Sequence, residues 1–135
     1  MTGSGEEMLQ GVDWLIDENN REGSVFFNKL EVDRVGATGH SQGGKGTINA
    51  GNDPRVQCTA PIEPVPGNVA GLQGPMFLIA GSEDSVIRTD RVTSEIYDQA
   101  LVATVYGIAL GANHLTPLGD GGMVRGILLP GSVLS

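Results

Sequence analysis

Four short apolar segments constrain the fold of this chain more than any other feature of its sequence. They lie at residues 34–38, 56–62, 75–80 and 103–110 and alternate with helical or loop segments. Each is bounded by glycine, proline or aspartate and lacks regular polar alternation, which is typical of strands buried on both faces of a parallel sheet. The pattern predicts an α/β fold with a mostly parallel sheet of about four strands and flanking helices.

Four helices are predicted around these strands. The segments 42–50 and 90–100 have the length and position of crossover helices. Apolar residues at helical spacing predict a helix over about residues 6–20, for which Ser4 and Glu7 form a capping box. The segment 123–129 predicts a last helix, which the following proline and glycine end.

The composition excludes several classes of function. The chain has 135 residues and a formal net charge of -8, which repels nucleic-acid phosphates, so no nucleic-acid partner is expected. No apolar run is long enough for a membrane span, and the first residues lack the segments of a signal peptide, so the compartment stays unknown. Cys58 is the single cysteine, which excludes an intrachain disulfide, and we expect a buried, inert thiol.

The segment GHSQG at residues 39–43 directly follows the first predicted strand and precedes a predicted helix. G-x-S-x-G between strand and helix predicts a sharp turn that exposes a nucleophilic serine, here Ser41. Such a turn requires flanking residues without a Cβ, which explains Gly39 and Gly43. The backbone N–H of Gln42, at the helix start, would face a developing oxyanion.

Two nucleotide-binding motifs are alternatives to this interpretation. The pattern G-x-x-x-x-G-K-[ST] fails because Gly46 separates Lys45 from Thr47. The glycines of the segment 39–46 also do not fall at the G-x-G-x-x-G spacing of a dinucleotide site. The hydrolase interpretation is therefore favoured.

A nucleophilic serine needs a base, and the chain offers two histidines. His40 is adjacent to Ser41 in the turn, where we expect it to pack or to form a hydrogen bond beneath the turn. His114 follows the last predicted strand in a glycine-containing loop, and we predict that it is the base.

The acid that orients the base is predicted at the end of a strand between serine and histidine. Asp84, the fourth residue of the turn at 81–84, is favoured. Glu83 is the second candidate, and Glu63 at the end of the preceding strand also competes.

Together, the segments 30–35, 39–44, 79–84 and 111–114 resemble the α/β-hydrolase superfamily. Within it, the chain is most similar to bacterial esterases related to cutinases, polyester hydrolases and dienelactone hydrolases, over roughly residues 6–125. The resemblance implies a partial α/β-hydrolase fold, the C-terminal portion that carries the triad, with residues 1–135 as a single truncated domain. Members of the superfamily have further strands before the serine turn, and the loop with the second oxyanion donor also lies in that part of the chain.

The resemblance also implies roles for individual residues. Ser41 would be the nucleophile, Asp84 the acid, His114 the base and Gln42 an oxyanion donor, with no metal or cofactor. The residues expected to border the substrate are His40, Val65, Val86 and Ile87. Val65 stands where polyester hydrolases carry a tryptophan.

These observations lead to two hypotheses about function. The first is a serine hydrolase that cleaves a small-molecule or polymeric carboxylic ester through an acyl-enzyme. The alternative is a non-catalytic or weakly active hydrolase-fold fragment that serves as a binding or interaction module. In both cases we expect a homo-oligomer, because the strand at residues 34–38 would form an exposed sheet edge.

Overall fold

The order of helices and strands follows the alternation in the sequence. The computed structural model describes residues 3–119 and 126–128. Its elements are helix α1 (Glu6–Asn20), strand β1 (Val35–His40), helix α2 (Gln42–Ala50), strands β2 (Val56–Ile62) and β3 (Met76–Gly81), helix α3 (Thr89–Glu95), and strands β4 (Thr104–Leu110) and β5 (Gly126–Leu128).

The sheet has the strand order β1-β2-β3-β4-β5. Strands β1 to β4 are parallel, and the short β5 pairs antiparallel with β4. The predicted α/β fold, with a mostly parallel sheet of about four strands and flanking helices, is confirmed. Because the carboxyl ends of parallel strands lie at one edge of a sheet, the segments that follow β1, β2, β3 and β4 converge there.

Helix α1 has the predicted bounds but not the predicted start. Gly5 is the N-cap, with φ 89°, and the Ser4 hydroxyl accepts a hydrogen bond from the Glu6 N–H at 3.3 Å, so the capping box is wrong. A Cβ on Gly5 would lie 2.6 Å from the backbone nitrogen of Ala50 at the end of α2. Close packing of α1 on α2 therefore decides how the chain enters the helix. No helix in the described part of the chain is long and apolar enough to cross a membrane.

The hydrophobic core lies on one face of the sheet, beneath α2 and α3. Its large buried side chains include Ile48, Met76, Leu78, Val92, Ile96 and Tyr106. On the opposite face Phe77 and Val105, which are directly paired in register, are 41% and 54% exposed. Cys58 is exposed as well. The expectations of strands buried on both faces and of a buried thiol are therefore wrong, because among residues 3–119 the helices cover one face.

Two predicted helices differ from the structure. The helix predicted at 90–100 ends at Glu95, and a 3₁₀ turn at Tyr97–Gln99 follows. This turn places the Tyr97 ring 5.1 Å from that of Tyr106 in the core. Of the helix predicted at 123–129, residues 126–128 form strand β5, because the free edge of β4 offers backbone hydrogen-bond partners. Its other residues lie outside the described part of the chain.

The buried core makes a prediction about stability. Leu78 is fully buried in β3, so Leu78→Ala should lower the free energy of unfolding by about 2–5 kcal/mol. Leu101→Ala is the matched control, because Leu101 is 82% exposed and its truncation should cost less than about 0.5 kcal/mol. Urea unfolding followed by circular dichroism measures both values, and equal losses would contradict the proposed core.

Candidate active site

Ser41 occupies a strained turn between β1 and α2. Its φ of 57° and ψ of -115° lie in a region that residues with a side chain rarely adopt, at a cost of about 1–3 kcal/mol. Both backbone groups of Ser41 are fixed. The N–H donates to the Ile62 carbonyl at 3.0 Å, and the carbonyl accepts from the N–H groups of Lys45 and Val65, each at 3.1 Å. The neighbouring strand and helix thus hold the strained conformation.

Glycines allow α2 to approach β1 and the segment after β2. A Cβ on Gly39 would lie 2.5 Å from the Gly43 carbonyl oxygen, and a Cβ on Gly44 would lie 2.7 Å from the Cβ of Pro64. A Cβ on Gly43 would meet no described atom within 4 Å. The steric requirement predicted for Gly39 is confirmed, whereas the one predicted for Gly43 is wrong, because Gly43 contributes its carbonyl to the contact.

Ser41, His114 and Asp84 form a continuous line of hydrogen bonds. The Ser41 Oγ lies 3.0 Å from His114 Nε2, and His114 Nδ1 lies 2.8 Å from Asp84 Oδ2. The other oxygen of Asp84 accepts the N–H groups of Val86 and Ile87 at 2.7 and 2.8 Å. Asp84 is buried, and these bonds fix its carboxylate against the imidazole. Serine, imidazole and carboxylate in this geometry can activate the serine for nucleophilic attack.

The loops after β3 and β4 bring Asp84 and His114 together. The N–H of Ser82 donates to the Ala109 carbonyl at 3.0 Å, and the N–H of Glu83 donates to the Ala112 carbonyl at 2.9 Å. The Ser82 hydroxyl accepts the N–H of Gly111, which has the positive φ of 82°. This turn leaves the Glu83 side chain exposed, so of the two neighbouring acids it is Asp84 that contacts the histidine.

His40 and Glu63 form a second hydrogen-bonded pair beside this line. The Glu63 Oε2 lies 3.2 Å from His40 Nε2 and 3.8 Å from His114 Nδ1. Burial, and after it the charge of Asp84, raise the pKa of Glu63 to about 7, although the charge of His114 opposes this shift. Burial also lowers the pKa of His40, as does the nearby charge of His114. The hydrogen bond expected for His40 beneath the turn is thus made to a buried acid.

The donor atoms of His40, Glu63 and His114 lie within 4.8 Å of one another, close enough to hold a metal ion. Both ring nitrogens of His114 already have hydrogen-bond partners, in Ser41 and Asp84. We therefore interpret the cluster as a hydrogen-bonded network rather than as a set of metal ligands.

Comparison with protein families identifies the group to which the chain is related. The family described as PET hydrolase-like matches residues 2–119. The chain belongs to this family. The PET hydrolase-like family is part of the α/β-hydrolase superfamily, so the predicted resemblance to polyester hydrolases is confirmed, and membership indicates a hydrolase that acts on esters. Comparison with curated proteins gave no match.

The predicted oxyanion donor and substrate-bordering residues of this PET hydrolase-like chain differ from one another in burial and position. Gln42 is the first residue of α2, and its N–H is one of those without a partner inside the helix. Val65 is partly buried against the core, and Val86 is exposed on the turn after Asp84. Ile87 is buried in the core, so it supports this turn from beneath. Their contacts with a substrate stay predictions.

The close approach at the turn leads to a prediction about glycine substitutions. Gly39→Ala should disrupt the turn and reduce esterase activity at least about tenfold, because the new methyl group would overlap the Gly43 carbonyl. Gly43→Ala is the matched control and should fold normally, since alanine fits there and favours the helix. Activity on an aryl ester, with circular dichroism as the folding check, measures the difference. A more harmful Gly43→Ala would contradict the described packing.

Proposed function

We propose that the protein hydrolyses carboxylic esters through an acyl-enzyme formed on Ser41. The observation that carries this proposal is the line of hydrogen bonds from Ser41 through His114 to Asp84. It lies at the carboxyl edge of the parallel strands, where α/β folds bind their ligands. Membership of a PET hydrolase-like family supports an ester as the substrate.

The distances between these groups support the following reaction. His114 Nε2 accepts the Ser41 proton while Oγ attacks the ester carbonyl carbon, and the Gln42 N–H stabilises the oxyanion that forms. The C–O bond then breaks, and His114 donates its proton to the departing alcohol. Water then attacks the acyl-enzyme and gives a proton to His114. The bond from Oγ to the acyl carbon breaks, the acid is released, and His114 returns the proton to Oγ, which restores Ser41.

Asp84 contributes to this reaction through His114. Its Oδ2 accepts the Nδ1–H, which leaves Nε2 free to accept the serine proton, and its charge stabilises the imidazolium ion. The N–H groups of Val86 and Ile87 prevent Asp84 from turning away. Every proton transfer is thus assigned to a side chain, and the proposed reaction uses no metal or cofactor.

The substrate is a small-molecule or polymeric ester. Val86 provides an exposed apolar surface on the turn that carries Asp84, and Val65 is bonded through its N–H to the Ser41 carbonyl. An aliphatic side chain at position 65 supplies no aromatic ring for stacking. We therefore place aliphatic esters ahead of aromatic polyesters as substrates.

The proposed triad predicts the result of three substitutions. Ser41→Ala and His114→Ala should each reduce kcat for a p-nitrophenyl ester by at least about 10⁴-fold, and Asp84→Asn should leave a small remainder. Ser94→Ala and Glu83→Gln are matched controls, because both residues are exposed and lie outside the hydrogen-bonded line.

Normal turnover in His114→Ala, or equal losses in Glu83→Gln and Asp84→Asn, would contradict this assignment. A folded wild-type protein that neither hydrolyses the ester nor forms an adduct would favour a binding or interaction module instead.

The protein is also proposed to form a homo-oligomer. Among the described residues β1 pairs with β2 alone, so its other edge has no partner strand. An apolar groove of about 480 Å³ lies between α1 and β1, and Phe77 and Val105 are exposed on the uncovered sheet face. A second copy of the chain would cover these surfaces, because exposed sheet edges and apolar patches promote association.

Self-association predicts different effects of two charged substitutions. Val105→Glu should shift the protein towards monomer, because it places a charge on the sheet face that the second copy would cover. Val25→Glu is the control, since Val25 is also exposed but lies in the loop between α1 and β1. Sedimentation velocity at low micromolar concentration measures both variants. A wild-type protein that sediments as a stable, fully active monomer would refute the proposal.

A further inference from the structure

A second buried carboxyl group lies beside the histidine of the proposed triad. Glu63 directly follows β2, and its side chain is 2% exposed. Its φ of 43° is unusual for a residue with a side chain, and such strain is concentrated at functional sites. The backbone N–H of Glu63 donates to the Ile79 carbonyl at 2.7 Å, which holds the strained residue in place.

The surrounding backbone leaves room for this carboxyl group. A Cβ on Gly81, the last residue of β3, would overlap Oε1 of Glu63. The glutamate therefore occupies space that a side chain at position 81 would fill. Burial, backbone strain and this glycine together place the Glu63 carboxyl group inside the site rather than at its surface.

The Nδ1 atom of His114 faces two carboxyl groups. Asp84 Oδ2 lies at 2.8 Å, and Glu63 Oε2 lies at 3.8 Å. The same Glu63 oxygen lies 3.2 Å from His40 Nε2, and the rings of His40 and His114 have centroids 4.6 Å apart. Glu63 thus contacts one imidazole and lies within a small side-chain rotation of the other.

The two carboxyl groups differ in their hydrogen-bond partners. Asp84 accepts two backbone N–H groups, whereas among the described residues the hydrogen-bond partner of the Glu63 carboxyl is His40. The titratable groups that face Glu63 are His40 at the end of β1, Asp84 after β3 and His114 after β4. With a pKa raised to about 7, chiefly by burial and then by Asp84, Glu63 is protonated below neutral pH and ionised above it.

We propose that Glu63 is a second acid for His114, a positioning residue whose carboxylate accepts a hydrogen bond from the Nδ1–H of His114 when Asp84 is neutralised. The inference rests on the proposed function of Ser41 and His114. It differs from the role of Asp84, which accepts the hydrogen bond from the same Nδ1–H in the wild-type protein.

The variant Asp84→Asn separates the two acids. The asparagine oxygen would stay with the N–H groups of Val86 and Ile87, which turns its NH₂ group towards His114 Nδ1. An N–H donor at this place favours the wrong imidazole tautomer, and such a change costs about 10⁴-fold in kcat where no second acid exists. An ionised Glu63 would retain the Nδ1–H tautomer, so we expect a loss of about 100-fold instead.

The first readout is kcat for a p-nitrophenyl ester at about pH 8, where Glu63 is ionised. Removal of the charge at Asp84 lowers the pKa of Glu63, so ionisation is more complete in Asp84→Asn than in the wild-type protein. Asp84→Asn with Glu63→Gln should be at least about tenfold slower than Asp84→Asn alone, with KM unchanged. Asp84→Asn with Glu83→Gln is the matched control and should equal Asp84→Asn.

The second readout is the tautomer of His114, measured by ¹⁵N NMR, which does not depend on activity. The chain contains two histidines, so the His114 signals are identified by their loss in His114→Ala. We expect Nδ1–H in Asp84→Asn and Nε2–H once Glu63→Gln is added. Should the double variant not fold, the tautomer in Asp84→Asn alone decides the question.

The inference is wrong if Glu63→Gln changes neither kcat nor the tautomer in the Asp84→Asn background, or if Asp84→Asn alone already carries Nε2–H. An active wild-type protein would then preserve the proposed function. An inactive wild-type protein would instead refute the proposed function and with it the inference, whichever tautomer His114 carries.

Discussion

The hydrogen bond from the Ser41 N–H to the Ile62 carbonyl is the interaction on which the site depends. It extends the pairing of β1 with β2 by one residue beyond β1 and holds Ser41 at its positive φ. The Ser41 carbonyl in turn accepts the N–H groups of Lys45 in α2 and Val65 after β2. Because both peptide groups are held, the strain of the turn is offset by the sheet and the helix rather than by contacts within the site.

The site also depends on the different surroundings of two neighbouring acids. Asp84 Oδ2 lies 2.8 Å from Nδ1 of His114, and Glu63 Oε2 lies 3.8 Å from the same atom. Two negative charges beside one atom repel each other. Two backbone N–H groups donate to the Asp84 carboxylate, whereas burial and the charge of Asp84 raise the pKa of Glu63. The fold thus gives the hydrogen bond with His114 Nδ1 to Asp84 at 2.8 Å and leaves Glu63 at 3.8 Å.

The sequence predicted those parts of the molecule that depend on local pattern. Short apolar segments located the four parallel strands, and G-x-S-x-G between strand and helix located the turn at Ser41, because both signals lie within a few residues. His114 was predicted to approach Ser41 because the chain has two histidines and His40 is adjacent to the serine, and the structure places its Nε2 atom 3.0 Å from Ser41 Oγ.

Contacts between distant residues could not be read from the sequence in the same way. The choice between Asp84 and Glu83 depends on the direction in which one turn points its side chains, and that direction is set by bonds to Ala109 and Ala112. The proximity of Glu63 to His114 requires the loops after β2 and β4 to meet. The exposure of Phe77 depends on which sheet face the helices cover, and an apolar strand does not reveal this.

Ser41 is proposed as the nucleophile, and covalent labelling is a direct test of this role. The wild-type protein is incubated with a fluorophosphonate, digested and mapped by mass spectrometry. We expect one adduct, on the peptide that contains Ser41, and we expect it to form much more slowly in His114→Ala. An adduct on another residue, or a folded protein that does not react, would contradict it.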